Sequence, residues 1–360
     1  MVLRALARLF DRNTARSRAL RPASTARRTS LAALALAASL GGTGCIKKML
    51  VDGQIESTRK AAAAMQGTAD FEVARAASMA GLAQFEGMHY LAPDNQDAYY
   101  LLVRNYASAA FAFAEDDLEV AVAAGKDDEV DYQKERAKSL YTRAIGFGVE
   151  WMEKKHPGFS DAAKNGLVET MAAYLKQFDD AADADILFWV GQAWMGRANV
   201  DKSPELAGTV YVGKSIIERV VALNETVENG NGHVLLGAFD ARTGVNTIGE
   251  ESFQSAKKHF DRAAEINGGK LLLGKVQMAK SYYCRMKDDS PGRRDSFAAY
   301  QKALNEVLAA DDPLPSARLT NAIAKRKARR YLSKAWIEGP AREDCGWDLS
   351  QVVPPPPPAG

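Results

Sequence analysis

The chain has 360 residues, of which 47 are Lys or Arg, 45 are Asp or Glu and 47% are hydrophobic. Residues 1–44 hold eight arginines and a single acid, which leaves 39 basic against 44 acidic residues in the remainder. That mild acidity gives no electrostatic case for nucleic acid. The length beyond residue 44 suffices for a substantial core, built either as one extended helical array or as two compact domains.

In chain order, a basic opening segment ending in Arg27-Arg28 meets a short apolar stretch, Leu31 to Leu40, then Gly42-Thr43-Gly44 and Cys45. About ten apolar residues are too few to cross a bilayer, so residues 1–44 read as an export signal. Small residues before a cysteine resemble the lipobox of bacterial lipoproteins, in which the thiol is acylated and the cysteine becomes the new N-terminus. On that reading Cys45 is the lipidation site and residues 45–53 are a tether whose Lys47 and Lys48 lie against anionic headgroups. The alternative is an ordinary signal peptide with an incidental cysteine.

Beyond the tether, alanine is abundant and apolar residues recur at intervals of three and four. The pattern predicts helices near 54–66, 69–90, 96–124, 128–155, 165–177, 183–200, 204–224, 231–245, 251–266, 270–286, 293–309 and 315–337. Breaks fall at Pro93-Asp94-Asn95, His156-Pro157-Gly158, Asn229-Gly230-Asn231-Gly232, Asn267-Gly268-Gly269 and Asp311-Asp312-Pro313. No alternating strand pattern competes, so the fold class is all-α. Residues 54–338 form the helical domain. Residues 339–360, which include Pro354 to Pro358, read as a disordered proline-rich tail. Cys284 and Cys345 are open to two readings: a disulfide, or a buried thiol and an idle tail thiol. They form no metal motif.

Degenerate helical-hairpin repeats are the strongest internal feature. Second-helix patterns of the tetratricopeptide type occur at Gly81-x3-Phe85-x2-Met88, Ala137-x3-Tyr141-x2-Ala144, Ala256-x3-Phe260-x2-Ala263 and Ser296-x3-Tyr300-x2-Ala303. First-helix patterns occur at Tyr99-x2-Leu102-Val103-x2-Tyr106, Leu187-x2-Val190-Gly191-x2-Trp194 and Val276-x2-Ala279-Lys280-x2-Tyr283. Such spacing keeps small residues where helices touch and aromatics where gaps need filling. An α-solenoid of irregular repeats is the expected architecture. In that register Tyr100, Arg104, Phe188, Gln192, Gln277 and Arg285 face a concave groove. Aromatics beside two arginines suit an organic acid with an apolar body, or an acidic peptide edge. The competing reading is that the rings pack between helices.

Nothing points to catalysis or to a cofactor. His89, His156, His233 and His259 are scattered at helix ends and turns, with no pair at metal-ligand spacing. Glu115-Asp116-Asp117 and Asp127-Asp128-Glu129 lack the spacing of a calcium loop and read as solvated faces or helix starts. The glycines around Gly230 have no phosphate-loop lysine, and no nucleophile and base converge.

Several blocks resemble the T component associated with TRAP transporters, the tripartite ATP-independent periplasmic systems. They are Cys45-Ile46-Lys47-Lys48-Met49, Leu91-Ala92-Pro93-Asp94-Asn95 leading to Tyr106 and Phe111-Ala112-Phe113, Ala137 to Tyr141 with Arg143-Ala144, His156-Pro157-Gly158-Phe159, and Phe253 to Ala264 with Asn267-Gly268-Gly269. The resemblance implies a periplasmic lipoprotein, anchored to the outer membrane by preference. It also implies a scaffold that docks the TRAP solute-binding protein and handles an organic-acid or apolar ligand. A homo-oligomer, a trimer included, is left open. The alternatives are a lipid-anchored repeat scaffold in outer-membrane assembly and, less favoured, an enzyme on a helical toroid.

Overall fold

The computed structural model describes residues 48–164, 166–201, 203–243, 250–285 and 296–347. Residues 1–44, expected above to be an export signal, Cys45 and the run of prolines lie outside them. The chain divides into two units, 1–50 and 51–360. Of the first, only 48–50 are described, and they are helical and exposed.

Every element among the described residues is helical. The residues expected to form a tether are already helical from 48, in α1 (48–62), which leads into a 3₁₀ turn, Ala63–Gly67. Next come α2 (Phe71–Leu91) and α3 (Gln96–Ala109). Their starts are set by capping: Asp70 Oδ1 accepts from the backbone N–H groups of Glu72 and Val73, and Asn95 Oδ1 from that of Ala98. A π turn, Ala110–Ala114, carries α3 into α4 (Glu115–Ala123). The chain continues through α5 (Asp127–Lys155), α6 (Phe159–Lys164), α7 (Val168–Leu175), α8 (Asp183–Val200), α9 (Pro204–Ala207) and α10 (Val210–Asn224). A 3₁₀ turn, Val227–Gly230, leads to α11 (Asn231–Thr243), α12 (Glu250–Asn267) and α13 (Leu272–Gln277), the last running into a second π turn, Met278–Tyr283. The C-terminal elements are α14 (Ser296–Ala309), α15 (Arg318–Tyr331), α16 (Lys334–Glu338) and α17 (Pro340–Cys345).

Two of the expected helices are split, 204–224 into α9 and α10 and 315–337 into α15 and α16. Helix α6 lies ahead of the expected helix 165–177, and between α6 and α7 the chain turns at Gly166, whose φ of 63° is left-handed and ends a helix. Between α15 and α16, the Ser333 hydroxyl starts a new helix by accepting from Trp336 N.

Successive helices pack on one another: α2 on α3, α3 on α5, α5 on α8, α8 on α10, α10 on α11 and α11 on α12. The small and aromatic positions picked out above sit at these contacts, with Tyr99, Ala137, Tyr141, Ala144, Ala256, Phe260, Ala263 and Tyr300 all buried. Gly191 and Gly213 let α8 and α10 cross nearly backbone to backbone. A Cβ on Gly191 would stand 2.7 Å from Ile217 Cδ1 and 3.2 Å from Gly213 O.

The ends of the array also touch, because α15 packs on the 63–67 turn and on α2. Buried charges hold this closure. Glu119 on α4 accepts from Lys280 Nζ at 2.7 Å, Lys327 Nζ at 3.0 Å, Arg330 Nη1 at 2.5 Å and the Tyr331 hydroxyl at 2.6 Å. Asp116 takes Arg326 Nε at 2.6 Å and Arg330 Nη2. Burial alone would raise the Glu119 carboxyl, but the pull of Lys280, Lys327 and Arg330 outweighs it and holds the group well below the usual carboxylate range. The acidic run Glu115-Asp116-Asp117 does start α4, but Glu115 and Asp116 are buried rather than solvated.

The tail expected to begin at residue 339 is folded as far as 347. Helix α17 packs on α16, Cys345 is bridged to Cys284, and the Trp347 indole N–H donates to Ser296 Oγ at 3.2 Å. Among the described residues no helix is long and apolar enough to cross a membrane.

Candidate functional site

Because the array closes on itself, its inward positions line enclosed space. One chamber of about 250 Å³ lies among the 63–67 turn, α2, α3, α8 and α15, and has Phe85, Leu101, Phe113 and Ile323 on its walls. A second, of about 280 Å³, lies among α4, α5, α8, α11, the second π turn and α15. Phe111, Gln192, Asn231 and Leu273 line both, so these four side chains form the partition. Both π turns contribute to the second chamber, through Phe111 and through Lys280 and Ser281. A π turn inserts a residue and re-aims the side chains beyond it, which is why such turns recur at functional sites.

A cleft on the far side of the first chamber shares Gln66, Arg104, Glu228 and Ser316 with it. In that cleft Arg59 is saturated, with Asp97 at 2.5 Å, Asp185 at 2.7 Å and the Tyr100 ring 4.1 Å from its guanidinium carbon. Arg104 is different. Its guanidinium carbon lies 5.9 Å from the Tyr100 ring centre and 5.6 Å from that of Trp189. Its buried Nε has no hydrogen-bond partner.

Two more buried polar atoms around the first chamber are unpartnered, Gln192 Oε1 and Asn231 Oδ1, while the Trp189 indole N–H faces the Glu228 carboxyl. Each such group costs about 1–3 kcal/mol if left unsatisfied. Beside them Glu228 and Asn229 hold left-handed backbone, with φ of 48° and 60°, a strain that clusters at binding sites. Burial raises the Glu228 carboxyl above its ordinary range against the opposing pull of Arg104.

The second chamber has its own unmatched cation. Arg242, on α11, donates from Nη1 to Asn199 Oδ1, and no carboxylate among the described residues pairs with it. Burial and then repulsion from Arg285 push it below its usual value. The facing Glu115 accepts from the Tyr141 hydroxyl, and burial raises its carboxyl.

The family model of the TRAP transporter T-component matches residues 67–336. The chain belongs to that family. A comparison with curated proteins gives no match.

Within this T-component, the sequence-predicted groove residues divide. Tyr100 and Arg104 reach the cleft, Arg104 and Gln192 the first chamber, and Gln192 and Gln277 the second. Phe188 does not face a cavity: it is fully buried in the core against Trp189, the ring one position on that lines the chamber instead. Arg285 also stays out, pairing with Asp344 at 3.7 Å near the disulfide.

Trp189, Glu228, Asn231 and Arg242 went unpredicted, since nothing in their local spacing sets them apart. Lys280 did carry a signal, because it fills a small-residue slot in a first-helix pattern, where a cation has no packing role.

The histidines also depart from expectation. His233 and His259 are not scattered but meet between α11 and α12, with Nδ1 atoms 2.8 Å apart, so that one proton is shared between them. His233 Nε2 faces Glu225 at 3.1 Å. Hydrogen bonds from Arg262 and then from His233 bring Glu225 down to about 2. Among the described residues no group of three or more His, Cys, Asp or Glu side chains is placed to hold a metal ion.

Proposed function

We propose that this T-component is a periplasmic lipoprotein, tethered through Cys45 to the outer membrane. As such it docks the solute-binding protein of its TRAP system and passes an organic acid between that partner and its own chambers. Membership of the family supports the association with a TRAP transporter. The observation that carries the ligand-handling half is Arg104, a guanidinium clamped between two rings at the mouth of the first chamber with no carboxylate on it. A half-buried cation held this way is complementary to a carboxylate, whether on a small ligand or on the rim of a docking protein. The polar atoms around it supply orientation, and the apolar walls behind it accept the body of a ligand.

Titration calorimetry against the solute-binding protein tests the reading, with and without that protein's ligand. Binding of modest affinity is expected. Arg104→Glu should weaken it more than Arg104→Ala, because reversal replaces attraction by repulsion. No heat of interaction in either state refutes the adaptor role.

A further inference from the structure

The cations around the second chamber are unequal. Lys327 and Arg330 face Glu119 and Asp116, and Lys280 faces Glu119 and the Tyr331 hydroxyl. Those carboxylates are thereby committed. Glu115 is held by Tyr141, and Asp344, which attracts Arg242 at longer range, is paired with Arg285. Arg242 therefore lies on the chamber wall with one amide oxygen for company and the rest of its donor fork unmatched. Its partner Asn199 is neutral, and Asp344 and Glu115 attract the guanidinium only at longer range, with no carboxylate among the described residues in salt-bridge contact with it.

The lining beside the guanidinium is largely apolar, with Val234, Leu235 and Phe239 from its own helix and Phe111, Met195 and Leu273 from others, and its remaining charges are Glu115, Glu119, Lys280 and Lys327. At about 280 Å³ the chamber stands at the small end of ligand pockets, which run from about 300 to 1,000 Å³. An aliphatic cargo without charge would leave Arg242 unmatched. A dianion's second charge would meet apolar side chains or the carboxylates Glu115 and Glu119, because Lys280 and Lys327 are already committed to Glu119.

We propose that the second chamber is a binding site for an apolar monocarboxylate, with its carboxylate on Arg242 and its hydrocarbon body on the Phe111, Leu235 and Leu273 side. The proposal deepens the ligand-handling reading above by fixing the substrate class and the anchoring residue, and it concerns this protein alone, without its docking partner. Asn199 is a positioning residue: its amide oxygen holds Nη1 and leaves the other edge of the fork for bidentate contact.

The test uses the full chain carrying Cys45→Ser, which keeps lipid and detergent out of the titration, with octanoate and its neutral isostere octanamide as probes. Calorimetry should show octanoate binding at least tenfold more tightly than octanamide. Arg242→Met should lower octanoate affinity at least tenfold while octanamide binding is unchanged, and Arg242→Lys should fall between.

Should Arg242→Met fail to fold, Asn199→Asp serves instead. It supplies the missing carboxylate from within, and is expected to raise the melting temperature and to abolish octanoate binding. Three results each overturn the proposal: no octanoate binding to the unmutated site, equal binding of octanoate and octanamide, or octanoate affinity unchanged by Asn199→Asp. Loss of docking to the solute-binding protein with the Arg242-dependent octanoate binding intact removes the adaptor role and leaves this site standing.

Discussion

Two groups of largely covered cations lie a few side chains apart in this protein and differ in one respect. Around Glu119, every cation has its acid: Lys280, Lys327 and Arg330 converge on two carboxylates, with Tyr331 adding a hydroxyl. Around the partition between the chambers, Arg104 and Arg242 have rings and an amide but no acid in salt-bridge contact among the described residues, Glu228 and Glu115 acting on them only at longer range. A paired buried ion costs much to break, whereas an unpaired one costs the fold something simply by being there. The first group therefore belongs to the closure of the helical array. On the proposal above, the second is explained by a carboxylate that it would bind.

The sharpest way to break the comparison is at the centre of the satisfied group. Glu119→Gln keeps the shape but strands Lys280 and Lys327 and leaves Arg330 with Asp116 alone, and should cost about 3–5 kcal/mol, read as a lower urea midpoint. The same carboxyl sets an acid limit. Its folded value is depressed below the unfolded one, so its contribution is complete above the unfolded carboxylate range and is lost as pH falls through that range toward the folded value. Denaturation midpoints between neutral pH and pH 3 should fall more steeply for the wild type than for Glu119→Gln. Equal slopes would remove Glu119 from the account.

Next in size is the staple beside that network. Reducing Cys284–Cys345, which closes a 61-residue separation, should cost about 2–4 kcal/mol and free the α17 segment. Hydrogen exchange at residues 340–347 with and without reductant checks it. A smaller effect belongs to the repeat contacts: Ala263→Leu, at a buried position against α11, should overpack the hairpin by about 1–3 kcal/mol. A melt unchanged by that substitution would place Ala263 outside the helix contact.

The smallest stability effect is expected where the charge and polar groups are unsatisfied. Gln192→Met removes an amide whose Oε1 is buried without a partner, and should leave stability unchanged or raise it by about 1 kcal/mol. A loss of 2 kcal/mol or more in the urea midpoint would mean that the amide is satisfied within the fold.

Legibility in the sequence divides along the same line. The helix start after Asn95 was readable, because capping is local chemistry, whereas the Asp70 cap falls inside the helix expected over 69–90. The packing register was readable at Tyr99, Tyr141 and Ala263, because the helical period projects core residues onto one face. The chambers were only half readable. Tyr100, Arg104, Gln192 and Gln277 come out of the register, but one position along a helix is about 100° of rotation, enough to put Trp189 on the wall and Phe188 in the core.

Arg242, Asn231 and the His233–His259 contact depend on how distant helices meet, which no window of sequence contains. The same holds for residues 339–347, where a composition suited to disorder is overruled by a disulfide and a buried tryptophan. The two π turns left no trace in a pattern that is helical on both sides of each.

One pair of unfolding curves tests the central claim most directly, because it makes the same chemical change in both groups. Arg330→Met removes a matched guanidinium and Arg104→Met an unmatched one. Urea denaturation at neutral pH should show Arg330→Met losing about 3–5 kcal/mol. Arg104→Met should stay within about 1 kcal/mol of the wild type, its lost contacts with Tyr100 and Trp189 offset by relief of an unpaired half-buried charge. Similar losses at both sites would contradict the account, since Arg104 would then be as much a part of the fold as Arg330.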